Sequence, residues 1–237
     1  MAESGSSRQG RSSSRRNWML RAVLGWGGAR PGNPTVSLGR SASLAIARLA
    51  RALARPLLLA LAGSLFVALC SRVALPLPFS PVPVTGQTFG VLVVGGLLGR
   101  RLGAAALLAY LIEGAAGLPV FSPGPTWGVA RLLSPTGGYL VGFVGAAWVV
   151  GWLADAGRHR RVQSALLSMA LGTASIYAAG VMGLLLYFPI ERALALGLYP
   201  FLLGDALKAA AAALVVAGQR PLAGPQALAD EPPGESL

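Results

Sequence analysis

Long apolar segments separated by short polar turns determine what kind of protein this chain can form. We place them at residues 57–74, 87–98, 102–118, 138–154, 164–188 and 198–217. A membrane-spanning helix needs about 20 mostly apolar residues. Charged residues make up only 12% of the chain, about half of their share in a soluble domain. The sequence therefore predicts an all-α integral membrane protein, a bundle of six transmembrane helices.

Polar segments flank the apolar part of the chain. Residues 1–54 are rich in Arg, Ser and Gly and are predicted to form a disordered cytoplasmic extension. Residues 55–220 hold the six predicted helices, and residues 221–237 form a polar C-terminal tail. We therefore expect one membrane domain with a polar segment at each end.

Arginine marks one side of the predicted bundle. If there are six spans, the arginine-rich segments all fall on the same side: Arg48, Arg51, Arg55, Arg100, Arg101, Arg158, Arg160, Arg161 and Arg220. The opposite turns hold few basic residues: Arg72, Arg131 and Arg192. Positive residues near span ends favour the cytoplasmic side. We therefore predict a multi-pass protein of the plasma membrane with both termini in the cytoplasm.

Several classes of function are excluded by what the sequence lacks. The net charge of +12 is concentrated in residues 1–55, which hold ten arginines and one acid, so it does not indicate nucleic-acid binding. No G-x-x-x-x-G-K-[ST] phosphate loop is present. A single histidine, His159, and a single cysteine, Cys70, provide no metal cluster and no catalytic triad. We therefore expect no enzyme, no metal site and no cofactor.

An acidic and a basic residue lie three positions apart in the last apolar segment. Asp205 and Lys208 share one helix face at this spacing and can pair. The chain has nineteen arginines and only one lysine. This lysine lies within an apolar segment, where a charge is costly. The pair is either a ligand site or an internal ion pair that fixes helix packing.

Other candidate residues lie near the predicted outer ends of the spans. Tyr110, Trp127 and Tyr139 are either interfacial anchors or the walls of an outward-facing pocket. Glu113 is either an intramembrane charge or a solvated residue at a span end.

The segment at residues 75–83 carries four prolines and is predicted to be a stiff loop that could cover a pocket. Gln87 and Thr88 follow it and offer neutral donors and acceptors, which suits an amide-like or urea-like ligand. In the first span, Ala60, Ser64 and Ala68 recur at four-residue spacing. Such a face serves either packing within the chain or docking of a partner helix.

Several motifs, in order along the chain, resemble the BioY family, the biotin-specific S components of energy-coupling-factor transporters. They are PLPFSPVPVT at residues 76–85, QTF at 87–89, GLPVF at 117–121, PTGGYL at 135–140, and Gly204, Asp205 and Lys208. The resemblance covers residues 57–218 and implies six helices, an outward-facing biotin site and ATP hydrolysis on separate subunits.

The resemblance also implies roles for particular residues. Asp205 and Lys208 would bind the ligand, with Gln87, Thr88 and Tyr139 in the pocket wall. The face of Ala60, Ser64 and Ala68 would dock on the transmembrane T subunit.

This sequence departs from the family pattern between Phe121 and Pro135, where the loop is bulkier and Arg131 is an addition. Because this loop is expected to contact the ligand, an S component for another vitamin is one alternative. Two further alternatives are a solitary carrier without an ATPase and a membrane scaffold that uses the small-residue faces and transports nothing.

Overall fold

The computed structural model describes residues 53–222, most of which are helical. In chain order the elements are α1 (Leu53–Cys70), β1 (Ala74–Leu77), β2 (Ser80–Thr85), α2 (Gln87–Ala115), α3 (Val129–Leu132), α4 (Gly137–Asp155), a 3₁₀ turn (Arg158–Arg160), α5 (Val162–Leu184), α6 (Ile190–Gly197) and α7 (Leu202–Val216). The predicted N-terminal extension and C-terminal tail lie almost wholly outside the described residues.

Most of the helices have the length and composition of membrane spans. α1, α2, α4 and α5 are each long and apolar enough to cross a membrane. α6 and α7 together would form a further crossing, bent by 51°. The described part of the chain is therefore mostly helical, with four or five candidate spans when continuous helices are counted.

α2 turns back on itself at Gly99, whose φ of 75° and ψ of 177° are not helical. The side chains of Gln87 and Tyr110 are hydrogen-bonded at 2.5 Å, whereas a straight helix would separate these residues by roughly 34 Å. The two halves, residues 87–98 (α2a) and 100–115 (α2b), therefore pack side by side in opposite directions. They correspond to the second and third apolar segments of the sequence.

Asp155, at the end of α4, lies against this turn. A Cβ on Gly99 would be 2.4 Å from Oδ1 of Asp155, so the turn has no room for a side chain. The backbone N–H of Arg100 donates to the same carboxylate at 3.3 Å, and Nε of Arg100 lies 3.7 Å from it. The carboxylate therefore stabilises the turn between the two halves.

Two further hydrogen bonds bring the other arginine-rich turns to the same place. The N–H of Gly218 donates to the carbonyl of His159 at 2.8 Å, and the N–H of Leu222 donates to the carbonyl of Leu97 at 2.7 Å. The turns after α2a, α4 and α7 thus lie together. We call this the arginine end of the bundle: Arg100, Arg101, Arg158, Arg160, Arg161 and Arg220.

The proline-rich segment after α1 forms an antiparallel hairpin rather than a loop. Leu75 pairs with Val84 and Leu77 with Ser80, with an irregular register between Leu75 and Leu77. Prolines fit here because a two-stranded ribbon leaves one edge of each strand unpaired, where no N–H is required. The hydroxyl of Ser80 donates to the carbonyl of Leu196 at 2.6 Å, which ties the hairpin to α6.

The last span begins later than the sequence suggested. α7 starts at Leu202 rather than at residue 198, and α6 precedes it as a separate helix. Pro200 lies in the break, where it lacks the N–H of a helical residue and biases the preceding residue away from helical geometry. α6 was not predicted because a short segment containing Glu191 and Arg192 does not resemble a span.

The small residues of α1 face the inside of the bundle. Ala60, Ser64 and Ala68 are 7%, 0% and 7% exposed. The hydroxyl of Ser64 donates a hydrogen bond to the carboxylate of Glu113, which is therefore not a free solvated residue at a span end. In the isolated chain the three residues therefore pack within the bundle, and docking of a partner on this face stays a prediction. The outward face of α1 carries leucines instead: Leu57, Leu58, Leu61, Leu65 and Leu69.

Candidate ligand-binding site

A cavity of about 540 Å³, part of it open to solvent, lies at one end of the bundle. Its walls come from β2, the first turn of α2a, the loop that contains α3, and helices α4, α5 and α7. Because α2a runs from this cavity to the arginine end, the two lie at opposite ends of the bundle. Much of the lining is apolar: Val82, Leu140, Phe143, Ile176 and Phe201. Apolar walls with a few convergent polar groups are typical of small-molecule sites.

The acidic and basic residues of α7 form an ion pair in the cavity wall. Nζ of Lys208 lies 2.8 Å from Oδ1 of Asp205, and the hydroxyl of Tyr177 on α5 donates to Oδ2 at 2.8 Å. Lys208 has no other hydrogen-bond partner among residues 53–222, so two of its three N–H donors remain for a ligand. The pair therefore presents both a donor and an acceptor to the cavity.

The amide of Gln87 is held by a chain of hydrogen bonds. The hydroxyl of Thr85 donates to Oε1 of Gln87 at 3.0 Å, and Nε2 of Gln87 donates to the hydroxyl of Tyr110. That hydroxyl donates in turn to the carbonyl of Val120 at 3.1 Å. Gln87 and Thr88 line the cavity, whereas Tyr110 is fully buried outside its lining. The structure thus places Tyr110 as a support for Gln87.

Tyr139 lies in the cavity wall, near the start of α4. Its hydroxyl donates to the carbonyl of Gly197 at 2.6 Å, which connects α4 to the end of α6. A Cβ on Gly180 would be 2.3 Å from the Tyr139 ring. A glycine in α5 is therefore needed to admit the ring.

The structure does not bring Trp127 to this cavity. Its side chain is 62% exposed. It lines a separate, shallower depression together with Leu118 and Thr126. Of the aromatic residues singled out in the sequence, only Tyr139 lines the main cavity.

Arg131 is a cavity residue to which the sequence assigned no role, although its loop was expected to contact the ligand. It lies in α3, is only 5% exposed, and lines the cavity. Nη2 of Arg131 donates to the hydroxyl oxygen of Ser122 at 2.9 Å. Burial lowers the pKa of the guanidinium, which nevertheless stays charged at neutral pH. A lone arginine in a charge-poor loop was the signal that could have revealed it.

Known proteins resemble this chain along most of its length. The family model of BioY matches residues 41–224. The chain belongs to the BioY family. A Thermotoga maritima relative named biotin transporter BioY is 39% identical over 59% of this chain and 81% of its own length. A Rhizobium etli relative of the same name is 38% identical over 67% of this chain and 88% of its own length.

A solved structure is also similar to this BioY chain. It is described as the S-component for biotin from an ECF-type ABC transporter. It aligns with a TM-score of 0.63 and 26% identity, over 70% of this chain and 90% of its own. These named transporters agree with the prediction that the chain is not an enzyme.

Four of the five BioY motifs contribute side chains to the cavity, and the fifth, at residues 117–121, does not. Residues 76–85 belong to the hairpin, residues 135–140 lead into α4, and Asp205 and Lys208 lie on α7. The family resemblance drawn from these motifs is confirmed. Segments that are far apart in the BioY sequence thus build one wall of side chains.

Proposed function

We propose that this chain is the biotin-binding S component of an ATP-driven vitamin importer of the energy-coupling-factor type. The observation that carries the proposal is the convergence of Gln87, Thr88, Tyr139 and the Asp205–Lys208 pair on one cavity in a BioY chain. Biotin is the transported ligand, and the chain needs no cofactor of its own.

The chemistry of the cavity suits biotin. The urea of biotin has two N–H donors and one carbonyl acceptor, while its sulfur-containing ring and the methylene groups of its side chain are apolar. The carboxylate of Asp205 has free lone pairs beyond the two bonds it accepts, and Lys208 has free donors. The apolar walls of Phe143, Ile176 and Phe201 would contact the rings. We therefore place the urea beside the Asp205–Lys208 pair.

The path of the chain supports six membrane crossings, with the start of α1 and the end of α7 on the cytoplasmic side. α1 leads from Arg55 towards the cavity, α2a returns to the arginine end, and α2b leads back to the cavity. α4, α5 and the α6–α7 pair alternate in the same way. Positive residues favour the cytoplasmic side of a membrane. The arginine end would therefore face the cytoplasm, and the cavity would open outside the plasma membrane.

Energy for uptake would come from other subunits. The sequence holds no phosphate-binding loop, so ATP would be hydrolysed by separate ATPases that act through a transmembrane T subunit. Since Ala60, Ser64 and Ala68 face inward, docking through α1 would use its leucine face. Biotin can influence docking only by binding the free and docked states with different affinities.

The test is calorimetric titration of biotin into the detergent-purified protein and into variants of the ion pair. Wild type should bind biotin with one-to-one stoichiometry, and Asp205→Asn and Lys208→Ala should weaken binding by about tenfold or more, as expected when a charged hydrogen-bonding group is removed. Glu191→Gln is the control, since this acid is exposed on α6. Its affinity should equal that of wild type.

Each alternative predicts a different result. No binding of biotin by folded wild type would contradict the proposal, and binding of another vitamin would reassign the substrate. Uptake by cells that lack every T subunit and ATPase would indicate a solitary carrier. A scaffold would bind no small ligand, and the ion-pair variants would then change only folding.

A further inference from the structure

The side chains that line the cavity carry one more positive charge than negative charge. Arg131 and Lys208 are basic, and Asp205 is acidic. Because Lys208 and Asp205 are paired at 2.8 Å, the charge in excess belongs to Arg131. Within residues 53–222, its one hydrogen-bond partner is the uncharged hydroxyl of Ser122.

A buried guanidinium without an acidic partner is unfavourable in a folded protein. Arg131 is 5% exposed, so it has lost most of the water that would stabilise its charge. Such groups are normally paired with an anion. The free-energy cost would be offset if the cavity received a ligand with one negative charge.

The loop around Arg131 holds the guanidinium in position. Ser122 accepts a hydrogen bond from Nη2 at 2.9 Å. A Cβ on Gly124 would lie 2.3 Å from Nη1, so the guanidinium packs directly against this glycine and would have to shift if a larger residue stood there. The group is therefore oriented before any ligand binds.

We propose that Arg131 binds the carboxylate of the ligand and makes the site selective for the free acid over its neutral amides. This inference rests on the biotin-binding function proposed above. Biotin carries its single carboxylate at the far end of its side chain from the urea. Arg131 on α3 and the Asp205–Lys208 pair on α7 would then hold the two ends of one molecule. A guanidinium can donate two parallel hydrogen bonds to a carboxylate, which an ammonium group cannot.

The test compares biotin with biotinamide, in which a neutral amide replaces the carboxylate with little change in shape. Wild type should bind biotin about 10- to 100-fold more tightly, the range of a charge-assisted hydrogen bond. Arg131→Gln should abolish most of this preference and leave the affinity for biotinamide nearly unchanged. Arg131→Lys should retain part of it. Arg72→Gln, which removes an exposed cation beyond the end of α1, is the matched control and should retain all of it.

Equal affinity of wild type for biotin and biotinamide would overturn the inference. So would an equal loss for both ligands in Arg131→Gln, because that result would show a structural role only. Gly124→Ala is the second variant if Arg131→Gln does not fold. It keeps the charge but displaces the guanidinium, so an unchanged preference would also count against the inference. If folded wild type binds neither ligand, the biotin function itself is contradicted.

Discussion

The hydroxyl of Tyr177 on α5 donates a hydrogen bond of 2.8 Å to Oδ2 of Asp205 on α7. The other carboxylate oxygen accepts from Lys208 on the same helix as Asp205. Two donors from two helices therefore fix the orientation of this carboxylate in the cavity. Tyr177 itself lines the cavity, although the sequence did not single it out.

Tyr177→Phe should weaken biotin binding about 5- to 10-fold, since one hydrogen bond that orients Asp205 is lost. The measurement is calorimetric titration on the purified variant. Tyr199→Phe is the control, because Tyr199 is 59% exposed, and it should bind as wild type does. An unchanged affinity of Tyr177→Phe would show that Asp205 does not depend on this bond.

Gly99→Ala should destabilise the protein more than Gly117→Ala. Both glycines have positive φ, of 75° and 92°, which costs a residue with a Cβ about 1–2 kcal/mol. Only at Gly99 would the new Cβ also collide with Asp155, because nothing lies within 4 Å of a Cβ on Gly117. We expect a loss of about 1–2 kcal/mol for Gly117→Ala and a larger one for Gly99→Ala.

Thermal unfolding in detergent measures both variants. Gly204→Ala is the reference, since a Cβ there meets nothing within 4 Å and the residue lies in α7. It should be neutral or slightly stabilising. Equal melting temperatures for the Gly99 and Gly117 variants would show that the contact with Asp155 does not matter.

Gly180→Ala should weaken biotin binding, although the added methyl group would contact Tyr139 and not the ligand. A Cβ at this position would lie 2.3–2.5 Å from atoms of the Tyr139 ring and would displace this ring, which lines the cavity. Gly145→Ala is the control, because its Cβ would meet only Ser175, at 3.2 Å. Titration of biotin should show a clear loss of affinity for the first variant alone. Similar affinities would mean that the ring has room to move.

The free energy of unfolding should depend on pH through His159. The residue is 2% exposed at the arginine end, and neither ring nitrogen has a hydrogen-bond partner in the part of the chain that the structure describes. Burial lowers its pKa from the ordinary value of about 6.5. Below that pH the unfolded chain gains a proton that the folded chain does not, so stability should fall as the pH drops towards the folded-state pKa.

Chemical unfolding of wild type and His159→Leu across about pH 5 to 8 provides the check. The leucine variant should lose the part of the pH dependence that lies below about 6.5. Other titrating groups are common to both proteins and cancel in the difference. Parallel curves for the two proteins would contradict this assignment.

Hydropathy predicted the helices well because a lipid environment allows few alternatives. The second apolar segment ends at Leu98 in both the sequence analysis and the structure, where Gly99 and the arginines follow. The hairpin and α6 were missed for a different reason. Their positions depend on tertiary contacts, such as the bond between Ser80 and the carbonyl of Leu196, which local composition does not reveal.

The site was predictable only where a residue was unusual in its setting. Asp205 and Lys208 were found because charges are rare in membrane spans. Tyr177 was missed, and Arg131 was noted without a role, because their places in the cavity follow from packing. The four-residue spacing of small residues in α1 defined a face of the helix but not its direction, and the burial of Ser64 shows that it points inward.

The fold-back of α2 has a consequence for the surrounding lipid. At 1.5 Å per residue, α2a is about 18 Å long and α2b about 24 Å, whereas the hydrocarbon layer of a bilayer is about 30 Å thick. Leu108 and Ile112 on α2b are 50% and 68% exposed, so lipid chains would contact this short helix. Hydrophobic mismatch of this kind thins the adjacent leaflets. We therefore expect the protein to deform the bilayer beside α2b and to prefer lipids with shorter acyl chains.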